Sequence, residues 1–127
     1  MEYLFLLGRI LFGGYFVLSG YNHFKNLSGL AGYAQSKGVP MPKAAVILTG
    51  LMMLLGGLGV LFGAYIELSV LLLALFLLVT TMQMHQFWKA EEAGKMAEKM
   101  NFMKNMALLG AVLMFLAIPA PWILSLF

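Results

Sequence analysis

The stretch AAVILTGLMMLLGGLGVLFG, Ala44 to Gly63, runs twenty residues without a charge. At 1.5 Å rise per residue such a helix covers about 30 Å, the thickness of a bilayer's hydrocarbon core. It lacks the polar/apolar alternation of a membrane-barrel strand, and in lipid only helices and closed barrels satisfy their own backbone groups. The segment is therefore read as a transmembrane helix. Three more stretches fit the same description: Tyr3 to about Phe24, broken only by Arg9; Glu67 to His85; and Phe102 to about Leu126. The expected fold is all-α: a single domain over residues 1–127, an antiparallel bundle of four membrane-spanning helices.

The composition agrees. Apolar residues make up 62% of the 127-residue chain and charged residues 10%, against averages of roughly 45–50% and 25% in soluble domains. So few charges cannot cover a water-soluble surface, and the 13% aromatic content is the reverse of a disordered composition. Without cysteine the chain has no disulfide, thiol relay, cysteine nucleophile or thiolate-held cluster. The net charge of +3 does not imply nucleic acid, because the basic residues sit at the ends of apolar runs, as membrane anchors and topology signals do. The first span is too long for a signal-peptide core, and Glu2 stands where a basic leader would begin, so it reads as retained.

Between the first two spans, Lys25 to Lys43 holds a short helical segment. Ser28 is a plausible N-cap, Gly38 a stop, and Pro40 and Pro42 block continuation. Leu27, Leu30, Ala31 and Ala34 share one side, as expected of a small amphipathic helix lying in the interface. The second and third spans join through a very short turn near residues 63–66 and must be antiparallel neighbours. KAEEAGKMAEKMN, residues 89–101, is the solvated segment, and Glu91 and Lys95 at i,i+4 suit a helical extension. The 25–43 and 89–104 connections hold Lys25, Lys37, Lys43, Lys89, Lys95, Lys99 and Lys104, leaving only Arg9 on the other side. The positive-inside rule then places both connections in the cytoplasm and both termini outside.

Small residues (Gly13, Gly14 and Gly20; Gly50, Gly57, Gly59 and Gly63; Ala107 and Ala111) favour close helix packing, within the bundle more than between copies. Arg9, about six residues into the first span, has two readings of equal weight: a snorkelling anchor, or a buried ion pair with Glu67. At the opposite ends of the spans a polar group collects at one membrane depth: Asn22, His23, Gln83, His85, Trp88, Lys104 and Asn105. A proton path between the two levels needs intervening ionisable groups, for which Ser19, Thr49, Thr80 and Thr81 are poor substitutes, so ion pumping is not expected.

His23, Gln83, His85, Trp88, Lys104 and Asn105 form the candidate binding cluster. Two histidines without carboxylate or thiolate fall short of a zinc site. The methionines near them (Met82, Met84, Met100, Met103, Met106) suit Cu(I) but more often serve as packing, so no metal is expected. Trp88 has the ordinary reading of an interfacial anchor. A neutral imidazole donating to a carbonyl beside an aromatic ring suits a quinone head group, the one cofactor considered.

These residues together resemble the DoxX family of small four-helix bacterial membrane proteins. The resemblance runs through Arg9, LSGYNHF (Leu18–Phe24), LSGLAGYAQSKGVPMP (Leu27–Pro42), Gly56-Gly57-x-Gly59, His85-Gln86-Phe87-Trp88 and Phe102-Met103-Lys104-Asn105. It departs at His23, where many members carry lysine, and near Met53, where many carry glutamate; losing that acid argues further against proton coupling. The resemblance implies the bacterial inner membrane and a place in quinone-linked oxidoreductase assemblies. Three functions follow as expectations: a non-catalytic subunit binding a partner, a second copy or a lipid-soluble molecule; a stand-alone quinone enzyme using His85 and Lys104; or a chaperone or trafficking adaptor for membrane proteins.

Overall fold

A computed structural model describes residues 1–119 and 121–122. Five helices follow in order: α1 (Glu2–Lys25), α2 (Leu27–Ser36), α3 (Pro42–Phe62), α4 (Ile66–Met84) and α5 (Glu92–Met114). Short 3-10 turns occupy Phe87–Lys89 and Phe115–Ala117, and no strand occurs among the described residues. Helices α1, α3, α4 and α5 are each long and apolar enough to cross a membrane. The all-α, four-span architecture is as the sequence indicates.

Punctuation residues set the connections. Gly38, at φ +80°, ends α2 in a Schellman motif: Val39 N–H donates to the Ala34 carbonyl at 3.1 Å and Gly38 N–H to Gln35 at 3.0 Å. Pro42 opens α3, where its missing N–H costs nothing. The α3–α4 hairpin turns through Gly63 at φ +68°, and the buried Ser69 hydroxyl donates to Ala64 across the turn at 3.2 Å.

Two boundaries differ from expectation. Helix α2 starts at Leu27 behind Asn26, so Ser28 lies inside the first turn and does not cap it. The last helix carries the expected extension, since α5 takes in the charged 92–101 segment, but it ends early, at Met114 with a 3-10 turn to Ala117. Pro119 offers no N–H to prolong the ladder and disfavours the α region for Ile118, which is extended at φ −83° and ψ 121°. Residues 120 and 123–126 of the expected span lie outside the described residues.

α3 is the central element. Its glycines face two neighbours: Gly50 and Gly57 lie against Gly20 and Gly13 of α1, while Gly56 and Gly59 lie against Leu73 and Ser69 of α4. A Cβ on Gly13 would stand 2.7 Å from the Gly57 carbonyl oxygen, and one on Gly20 2.8 Å from that of Gly50, so the antiparallel α1 and α3 backbones touch. This is the intramolecular use of the glycines. Around the contact Phe16, Met53, Val60, Leu73, Leu77 and Val112 form the buried core. α5 packs on α4, and the 3-10 turn that follows it meets α1 through Phe115 and Phe12, whose rings lie 4.9 Å apart edge to face.

Candidate functional site

The Leu27, Leu30, Ala31 and Ala34 side of α2 turns inward, with Ala34 buried. It roofs a cavity of about 150 Å³ between α1, α3 and α4. Leu30, Ala34, Val39, Val46, Val79 and Met84 make the apolar wall; His23, Tyr33, Thr49, Thr80 and Gln83 supply the polar atoms. His23 also borders a shallower groove along α1, beside Tyr15, Ser19 and Asn22.

Hydrogen bonds fix the chemistry of this lining. His23 Nδ1 lies 3.0 Å from the Ser19 carbonyl oxygen, one turn back on α1. A carbonyl only accepts, so Nδ1 carries the proton and a neutral imidazole keeps a bare lone pair on Nε2. The Thr49 hydroxyl donates to the carbonyl of Ala45 at 2.8 Å, with Val46 at 3.2 Å. Gln83 Nε2 donates to the Lys37 carbonyl at 3.1 Å, tying α4 to the end of the roof.

The cluster expected from sequence is thus divided. His23 and Gln83 share the cavity, whereas His85, Trp88, Lys104 and Asn105 do not line it. His85 Nδ1 lies 3.5 Å from Glu98 Oε2, and the same carboxylate oxygen is 3.3 Å from Lys37 Nζ. Trp88 packs edge to face with Phe87 and Phe102 at 5.3 and 5.8 Å between centroids, bracing the α4–α5 connection. Lys104 is exposed and Asn105 half-buried. Sequence reasoning missed Lys37 and Glu98, which are 61 residues apart in the chain. The one available signal was the absence of another acid in the two lysine-rich connections apart from Glu91, Glu92 and Glu98.

At the other end of the bundle Arg9 is 3% exposed. Its Nε donates to the Val60 carbonyl at 3.2 Å and Nη2 to Leu61 at 3.0 Å. These are last-turn carbonyls of α3, of the kind a helix cannot satisfy internally, at the negative end of the helix dipole. Phe5 and Trp122 stand by the guanidinium at 5.7 and 5.8 Å from its carbon. Glu67 is exposed, and no ion pair among the described residues joins it to Arg9. Both sequence readings of Arg9 give way to a third: a cap on a neighbouring helix, favoured because α3 ends within reach while Glu67 faces outward.

Four lipid-length helices, three of which line a cavity roofed by α2, define a polytopic α-helical membrane protein. The DoxX family model matches residues 4–86, and the chain belongs to that family. Inner membrane protein YphA of Escherichia coli (strain K12) is 28% identical over 123 residues, covering 97% of this chain and 87% of that protein. No solved structure matches the chain significantly.

Proposed function

We propose that this chain is a binding subunit of the inner membrane that holds a ring-sized, lipid-soluble head group in the cavity beneath α2, in the service of a quinone-linked oxidoreductase assembly. The observation that carries this reading is the cavity itself: about 150 Å³, walled mainly by aliphatic side chains, with a few convergent polar groups. An apolar protein cavity of about that volume accommodates a benzene ring. The stand-alone enzyme reading loses support, because His85 faces Glu98 and Lys104 is exposed, so they flank no common cavity. The inner membrane is supported by the relative's name, and the lysine distribution supports both termini outside. A protein partner or second copy has room on α5, whose one fully buried residue is Val112.

The test is to purify the protein in mild detergent, extract it with organic solvent, and quantify quinone by chromatography. Quinone and quinol together in near-stoichiometric amount, lost from a Val46→Phe variant that fills the cavity, are the expected result. A chain that retains neither form and fails to bind an added short-chain quinone or its quinol overturns the reading.

A further inference from the structure

We infer that the cavity selects ligands that donate a hydrogen bond, so that it takes a phenol or the hydroquinone form of a ring in preference to the quinone form. The inference rests on the ring-binding reading above and adds the direction of the hydrogen bond.

A quinone carbonyl can only accept, and needs an N–H or O–H from the protein. A quinol or phenol hydroxyl can donate. The His23 N–H nearest α1 is committed to the Ser19 carbonyl. The ring nitrogen left over, Nε2, has no hydrogen-bond partner among the described residues, and the ring that carries it lines the cavity. It is an acceptor. Thr49, opposite on α3, commits its proton to Ala45 and Val46, so its oxygen also presents lone pairs only. Gln83 commits an amide N–H to Lys37, leaving its amide oxygen as a third acceptor beside one remaining N–H. The Tyr33 and Thr80 hydroxyls rotate to either role and, with the remaining Gln83 N–H, can serve a carbonyl, so the bias is set at His23 and Thr49. A quinone oxygen brought against Nε2 would meet lone pair with lone pair. A hydroxyl there forms an O–H···N bond, and burial raises the cost of the mismatch.

The experiment compares butylphenol with its methyl ether, a pair that differs in donor capacity without redox chemistry. Dissociation constants are measured in detergent by ligand-observed NMR at alkaline pH, where imidazoles are neutral. In the wild type the phenol is expected to bind about tenfold more tightly than the ether, the worth of one net hydrogen bond. In His23→Leu the preference falls to that of the remaining polar groups, while ring affinity persists. Nitrogen-15 spectra of a His85→Gln variant, whose sole histidine is His23, should show an unprotonated Nε2 that shifts on phenol binding. Equal preference in wild type and His23→Leu, or a protonated Nε2, overturns the inference and leaves the cavity reading standing. Failure of both compounds to bind overturns the cavity reading, and this inference with it.

Discussion

Lys37 Nζ lies 3.3 Å from Glu98 Oε2, and this contact joins the C-terminal end of α2 to the charged first turns of α5. With the Gln83 amide on the Lys37 carbonyl, it holds the roof of the cavity at its free end. The pair is part-exposed, 31% and 13% for the two side chains, so solvent screening keeps its worth near the 0.2–1 kcal/mol typical of such pairs. The expected effect is therefore on motion more than on folding. Glu98→Gln should leave thermal stability within about 1 kcal/mol of wild type. It should also raise amide hydrogen exchange in residues 27–39 severalfold. Unchanged exchange there would mean that the packing of Leu30 and Ala34 alone holds α2 down.

The α1–α3 contact predicts a reversal of ordinary helix propensity. On an exposed helix, glycine to alanine gains about 1 kcal/mol. At Gly13, Gly20 and Gly57 the new methyl meets backbone at 2.7 to 2.9 Å, which cannot rotate away. Gly13→Ala and Gly57→Ala should each cost about 1–3 kcal/mol, measured by unfolding in mixed micelles. Gly14→Ala, which meets open space, should be neutral or slightly stabilising. Equal effects at Gly13 and Gly14 would contradict the packing.

These contrasts show what the sequence carried. Charge-free runs are one-dimensional facts, so the spans and the hairpin at Gly63 were legible. The α2 stop at Gly38 was legible too, because a left-handed glycine before Val39 and Pro40 has few other uses. Membrane depth was likewise legible, and it placed His23 and Gln83 at one level. Azimuth around each helix was not: in lipid an outward face is as apolar as an inward one, so no moment separates them. That is why depth alone grouped His85, Trp88 and Lys104 with His23 and Gln83, although they do not line the cavity, and why a pair with Glu67 stood as one of two readings of Arg9. Arg9 donates to the main-chain carbonyls of Val60 and Leu61, which no side-chain pattern announces.

Arg9 therefore gives a prediction that distinguishes capping from ion pairing. Arg9→Met removes two charge-assisted bonds to α3 and should destabilise the protein by about 2–4 kcal/mol, measured by detergent unfolding. Arg9→Lys should recover only part of this, since an ammonium cannot reproduce the guanidinium fork. Glu67→Gln should change stability by less than about 0.5 kcal/mol, as for other exposed substitutions. A large effect of Glu67→Gln would restore the ion pair.

The lysine distribution makes orientation measurable in a chain with no cysteine of its own. Glu92 is exposed at the start of α5, on the lysine-rich side, and Tyr65 is exposed in the α3–α4 hairpin at the other end. Placed singly, Glu92→Cys should react with a membrane-impermeant maleimide only after cell lysis, whereas Tyr65→Cys should react in cells with a permeable outer membrane. The two labels are complementary because α4 crosses once between these positions. Inverted reactivity would place Arg9 and the α3–α4 hairpin in the cytoplasm, and the cavity beneath α2 would then open near the outer leaflet.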